Sequence, residues 1–253
     1  MCAKKVKVNH VTFGAGHKAA ICCSLVGATK AQLVDEIKLI QLKKPDVIEW
    51  RADFLTELDD PNAVLDVLKS LHEITGETPL LFTIRSDQEG GQPVSLTTFE
   101  QKELIQHVLK SGLIQMIDFE VASPFAEDED LKTLCKDFKI KWIGSTHDFE
   151  KTPTREQMLT YLKRGEALGA DLVKLAVMPH SREDVLSLFT LTNEATEALT
   201  VPVITIAMGS MGVSTRLVGD QFGSVMTFAV GHQASAPGQA PLELIRDIQA
   251  YTE

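Results

Sequence analysis

The 253-residue chain has only four cysteines, Cys2, Cys22, Cys23 and Cys135, with no CxxC pair and no zinc-ligand spacing. Their scarcity argues against a disulfide scaffold or a zinc ribbon and suits thiols kept reduced in a cytosol. Lys/Arg-rich blocks are absent beyond the short Lys4-Lys5-Val6-Lys7, and the formal net charge is −10. No nucleic-acid surface and no membrane face is therefore expected, and any anionic ligand has to be held by local cations. No apolar run reaches the roughly 18 residues of a membrane span. The N-terminus lacks the charged, then apolar, then small-residue order of a secretory signal, so a cytoplasmic protein is expected. No GxGxxG follows the first apolar run, and no compositional break or long linker divides the chain. Residues 1–253 are expected to form one domain.

What is present is alternation. Residues 1–20 carry a strand-like pattern, with Val6, Val8, Val11 and Phe13 among polar residues, and read as a hairpin. Short apolar runs follow at 21–26, 46–50, 80–85, 115–120, 141–146, 172–177, 203–208 and 224–230. Helix signals separate them. Thr29 with Gln32, Thr97 with Glu100 and Thr154 with Gln157 have capping-box spacing, Asp60-Pro61 places a cap before a first-turn proline, and Gly112 and Gly169 stand where helices stop. Eight near-continuously apolar runs, each followed by a helical pattern, predict an α/β protein with a single-domain (β/α)8 TIM barrel rather than an open doubly wound sheet. The hairpin-like segment is expected to close the barrel bottom.

Active sites of such barrels gather at the C-terminal ends of the strands, so polar residues late in the runs carry the information. Glu49, Arg51 and Asp53 share one parity, as do Asp118 and Glu120, and Ser145 and His147; Arg85 ends the third run and Lys174 lies inside the sixth. Lys174 sits where a buried strand should have a valine. A plain account has it paired with Asp118 or Glu120, or snorkelling to a surface. A buried lysine with a depressed pKa is instead a carbonyl nucleophile. At the ordinary pKa near 10.4 only about 0.04% is free amine at pH 7, and desolvation with nearby Arg51, Arg85 or protonated His147 raises that fraction.

His147 ends the run before Lys174, in the adjacent strand, which suits a general acid/base. The Glu49–Asp53 stretch also fits an ion network that only stabilises the barrel, and Asp118, Glu120 and His147 fit a divalent-metal site, which three neighbouring cations oppose. In the loops after the last two runs, Arg216, near an expected helix start, can clamp a carboxylate, and Ser235 and Gln239 lie in a flexible flap.

The segments EWRAD, TIRS followed by EGG, MIDFE, STHDF-x-KTP, VKLAVMP, and STRL…FGS…TF…ASAPGQ resemble, in order and over most of the chain, the type I 3-dehydroquinate dehydratases. The resemblance implies a Schiff-base dehydratase of the shikimate pathway, usually dimeric, that converts 3-dehydroquinate to 3-dehydroshikimate without metal or added cofactor. It implies Lys174 as imine lysine, His147 as general acid/base and Glu89 as the residue orienting His147. Glu49, Arg51 and Arg85 correspond to the residues that hold substrate hydroxyls. Arg216, Ser235 and Gln239 correspond to the carboxylate clamp and its lid, and Met208 and Phe228 to apolar walls. Ile206 stands where many members carry methionine.

Three other functions fit parts of the pattern. A class I aldolase acting on phosphosugars shares the imine lysine but needs a phosphate site. A silent carboxylate-binding barrel needs no His147–Lys174 pair. A metal-dependent lyase needs a cation among the carboxylates.

Overall fold

The computed structural model describes residues 4–14 and 16–251; Cys2 lies outside them. The first two strands, β1 (Lys5–Val8) and β2 (Val11–Gly14), form an antiparallel hairpin. Eight parallel strands follow: β3 (Ala20–Leu25), β4 (Val47–Arg51), β5 (Leu80–Thr83), β6 (Met116–Glu120), β7 (Lys141–Asp148), β8 (Leu172–Val177), β9 (Val203–Ala207) and β10 (Met226–Ala229). They are ordered β10-β3-β4-β5-β6-β7-β8-β9. The ring is completed between β9 and β10 by a single bridge, Val203 to Ser224, with the Val225 amide donating to the Val203 carbonyl at 2.9 Å.

Helices α1 (Lys30–Leu42), α2 (Pro61–Thr75), α3 (Thr98–Ser111), α4 (Glu129–Asp137), α5 (Arg155–Ala167), α6 (Arg182–Ala198), α7 (Val213–Val218) and α8 (Leu242–Tyr251) alternate with the strands. The three expected capping boxes form at Thr29, Thr97 and Thr154. A fourth, Ser181 with Asp184, starts α6; aspartate replaces the usual Glu/Gln at its third position. Among the described residues no helix is long and apolar enough to cross a membrane.

Period-2 alternation splits the core in two. Outward residues of the strands, Ile21, Ile48, Trp50, Phe82, Val173 and Leu175 among them, pack against the helices. Inward residues Ala20, Cys22, Val47, Leu81, Met116, Ile143, Leu172, Ile204 and Met226 form a second cluster with Val8, Val11 and Phe13 of the hairpin. Phe13 is fully buried there. The hairpin thus stoppers the N-terminal end, leaving the C-terminal end for chemistry.

Candidate active site

The inward parity that buries Leu172 also turns Lys174 into the lumen, two residues higher on β8, and the small Ala176 above it leaves room at the rim. Lys174 Nζ lies 4.2 Å from the centroid of the Phe228 ring and 3.8 Å from Asp118 Oδ2. Burial is the main force pushing its pKa down; Asp118 and Glu49 oppose this, and Arg85 adds to it. Of the two expected structural partners, only Asp118 meets Lys174, because Glu120 is taken by Arg85.

His147 extends inward from β7, which runs two residues past the apolar run at 141–146. The register sets Ser145, not His147, opposite Lys174, so the imidazole stands one layer higher in the same cavity. Its Nδ1 lies 2.8 Å from Glu89 Oε2, which also accepts the His147 main-chain N–H at 3.0 Å. With Nδ1–H donating, Nε2 keeps its lone pair for the cavity. Burial, then the Arg85, Lys174 and Arg51 cations, hold the His147 pKa well below its ordinary value. The ring is therefore neutral at pH 7 and competent as a base.

Glu89 comes from a short turn, Asp87–Glu89, that follows β5. Gly90 behind it has φ 83°, and a Cβ there would lie 2.3 Å from the Phe149 ring, so Phe149 packs directly on the glycine. Burial and Glu120 push the Glu89 carboxyl up to about 8. A carboxyl raised on folding supplies stability that is complete below its unfolded pKa and lost as pH rises through about 8. Glu89→Gln removes that loss. Its Tm, followed by circular dichroism, should exceed wild type by about 2–4 °C at pH 9 for each kcal/mol recovered, and match it near pH 4.

The remaining inward polar groups form a buried lattice. Arg85 is 3% exposed; its Nη2 lies 2.9 Å from Asp118 Oδ1, and its Nη1 is 3.1 Å from Glu120 Oε1 and 2.9 Å from Ser145 Oγ. Arg51 grips Asp53 through two bonds of 2.8 and 2.7 Å. Asp53 has left the strand for a 3-10 turn, Ala52–Phe54, and folds back to the arginine. Glu49 accepts Ser24 Oγ at 2.5 Å and Thr83 Oγ1 at 3.0 Å. Ser24 and Thr83 share the inward parity of Cys22 and Leu81, a signal that parity alone could have supplied. Both arginines are neutralised by carboxylates, so burial rather than Arg51 does most to depress Lys174. Among the described residues, no cluster of three or more His, Cys, Asp or Glu is arranged to hold a metal ion; Arg85 occupies the carboxylates such a site would use.

Arg216 differs from the other two arginines. It is the fourth residue of the six-residue α7, three positions from the helix start, as the sequence suggested. Its guanidinium reaches only main-chain carbonyls, Pro237 at 3.0 Å and Phe228 at 3.4 Å, and its buried Nε has no partner. Among the described residues it pairs with no carboxylate, and burial pushes its pKa down to about 10. A buried cation without an anion is costly unless a ligand supplies one. Above it lies the segment 232–239, where Gln239 Nε2 donates to Ser235 Oγ and the Ser235 amide donates back to Gln239 Oε1, both at 2.9 Å. Gly238, at φ 76°, sits so close to the Gly209 carbonyl that any Cβ would fall 2.1 Å from its oxygen. Ile206, Met208 and Phe228 complete the apolar wall. Every site residue expected from the sequence lines this one cavity: Glu49, Arg51, Arg85, Glu89, His147, Lys174, Met208, Arg216, Phe228, Ser235 and Gln239, with Phe149 and Ala236 added by the structure.

An eight-stranded parallel barrel with a buried amine, a carboxyl-bound imidazole and an unpaired guanidinium around one cavity at its C-terminal rim defines a (β/α)8-barrel enzyme. The family model described as type I 3-dehydroquinase matches residues 21–252, and the chain belongs to that family. A 3-dehydroquinate dehydratase of Geobacillus sp. (strain WCH70) is 44% identical over 247 residues, covering 97% of this chain and 94% of that protein. The crystal structure of 3-dehydroquinate dehydratase from Geobacillus kaustophilus HTA426 superposes with a TM-score of 0.94 at 41% identity, covering 99% of this chain and 98% of that one. The type I enzyme of Clostridium difficile, crystallised with covalently modified comenic acid, gives 0.92 at 35% identity, covering 98% and 97%.

Proposed function

We propose that Lys174 and His147 carry out, by way of a covalent imine, the reaction that family membership assigns to this chain: dehydration of 3-dehydroquinate to 3-dehydroshikimate, a hydro-lyase step of the shikimate pathway. The observation that carries the residue assignment is the buried Lys174 amine in one cavity with a neutral His147 whose Nδ1 is held by Glu89. The Lys174 amine attacks the ketone carbon, and the carbinolamine loses water to give an iminium. Nε2 of His147 removes the proton from the adjacent carbon; the electron pair flows to the nitrogen and leaves an enamine. The enamine expels the β-hydroxyl, which takes the proton back from His147 and departs as water. Hydrolysis of the conjugated iminium releases the enone and restores the amine.

Glu89 keeps the His147 tautomer and orientation. Glu49, Arg51 and Arg85 hold the substrate hydroxyls. Arg216 binds the substrate carboxylate, Ser235 and Gln239 close over it, and Met208 and Phe228 shape the wall. The iminium supplies the electron sink, so the reaction as proposed uses no added cofactor or metal. Residues 1–253 act as one catalytic domain with the 1–20 hairpin as its cap, in the cytoplasm and as a homodimer whose mass sedimentation equilibrium would measure. The substrate is a small carboxylate; nucleic acid and membrane are not partners.

The test is spectrophotometric. Purified protein with 3-dehydroquinate should develop the ultraviolet absorbance of a conjugated enone, undiminished by a chelator; no absorbance at high enzyme concentration contradicts the reading. Arg216→Lys keeps the charge but loses the fork, and a charged hydrogen bond is worth about 1.5–3 kcal/mol. KM should rise roughly 10- to 100-fold with kcat far less affected, and an unchanged KM would remove Arg216 from the clamp.

A further inference from the structure

Asp118 is a carboxylate with one oxygen used and one held back. Its Oδ1 accepts Ser145 Oγ at 2.6 Å and faces Arg85 Nη2 at 2.9 Å. Its Oδ2 is buried, accepts no hydrogen bond, and lies 3.8 Å from Lys174 Nζ. A carboxylate oxygen left unpaired in a dry barrel is costly, and at this site the cost is met only when the lysine nitrogen carries positive charge. On its other side that nitrogen meets the Phe228 ring, which also favours a cation.

We propose that Asp118 is a positioning residue, the fixed counter-ion that holds the Lys174 nitrogen in register, first as the resting ammonium and then as the iminium of the covalent intermediate. The inference rests on the imine reading above. In that sequence the nitrogen is positive in the first iminium, neutral in the enamine after His147 takes the proton, and positive again in the conjugated iminium after water departs. Asp118 Oδ2 is the nearest free anion at both cationic stages. Glu49 is less available, because its two oxygens already accept Ser24 and Thr83. The other groups facing Lys174 are Cys22 from β3, Arg85 following β5 and His147 from β7. Among all the groups facing Lys174, Asp118 favours the charged nitrogen most strongly, with Glu49 next, while Arg85 opposes it.

The experiment is the pH profile of kcat/KM for wild type, Asp118→Asn and Ser145→Ala, read beside borohydride-trapped adduct and thermal melts. In wild type, kcat/KM rises with pH until Lys174 is fully amine. An opposite charge within this distance shifts a pKa by about 1–3 units, so Asp118→Asn should move that limb to lower pH by at least about one unit. It should also lower kcat at least tenfold through loss of the iminium's counter-ion. Ser145→Ala strips a donor from Oδ1 and concentrates charge on Asp118, so its limb should move to higher pH. If Asp118 merely braces Arg85, both variants lose activity without moving the limb, and the proposal fails. Should Asp118→Asn not fold, Ser145→Ala decides alone: a limb unmoved or moved to lower pH overturns the proposal. Absence of a wild-type adduct on Lys174 would instead overturn the imine reading itself.

Discussion

Lys174→Ala should lose at least about 10⁴-fold in kcat, the scale on which loss of a covalent nucleophile is felt. No other group on the cavity wall replaces it. Cys22 is buried in the same lumen, but burial and Glu49 hold its thiol far from ionisation, and Arg85 is locked to Asp118 and Glu120. Without the amine the reaction has to proceed through an enolate, and a neutral ketone is a far poorer electron sink than a cationic iminium. Binding should survive, because Arg216, Ser235 and Gln239 are untouched, so KM or a product Kd should change little. Folding should also survive, since removing a buried amine of depressed pKa relieves desolvation; the stranded Asp118 carboxylate offsets part of that gain. Steady-state kinetics with calorimetric binding of product checks both halves. Retention of more than a hundredth of wild-type kcat would contradict covalent catalysis by this lysine.

His147→Ala should lose about 10²–10⁴-fold in kcat, the usual contribution of a positioned acid/base, and should fail differently from Lys174→Ala. The amine remains, so the imine still forms, though more slowly, and stalls before proton removal. Borohydride should therefore trap substrate-derived adduct on Lys174 in His147→Ala, where Lys174→Ala traps none. The pH dependence follows from the same assignment. A neutral ring is required, and burial with the Arg85 cation holds its pKa well below the ordinary value. In kcat, once the imine has formed, wild-type activity should then fall only when pH drops through that depressed pKa, and this His147 limb should vanish in the variant, leaving the Lys174 limb of kcat/KM. Rapid-quench mass spectrometry would show the stalled adduct. Its absence, with trapping intact in wild type, would mean that His147 acts before the imine forms.

The barrel was legible in the sequence because its strands are buried on both faces. All eight apolar runs became strands to within a few residues, and period-2 parity placed Glu49, Arg51, Asp118, Glu120, Ser145, His147 and Lys174 on the lumen side. Parity is local, and it fails where the chain leaves the strand. Asp53 shares the parity of Arg51 yet reaches it by a 3-10 turn, and Arg85 lies past the end of β5. Glu89 was nameable only through family resemblance. No periodicity marks it, and its position depends on Phe149 lying against Gly90, a contact between segments 59 residues apart. Arg216 was expected near a helix start and lies three residues into α7, although that helix has no side-chain cap to mark where it begins. What remained unread was the division of labour among the cations. Composition cannot tell that Arg51 and Arg85 are charge-paired with Asp53, Asp118 and Glu120, while Arg216 faces no carboxylate among the described residues.

The central claim is that the buried lysine becomes covalently bound. Borohydride added to enzyme turning over 3-dehydroquinate, followed by peptide mass mapping, tests it most directly. A reduced substrate- or product-derived adduct is expected on the peptide containing Lys174 and on no other. Turnover with no mass added at Lys174 would contradict it, leaving that lysine an electrostatic element of the barrel.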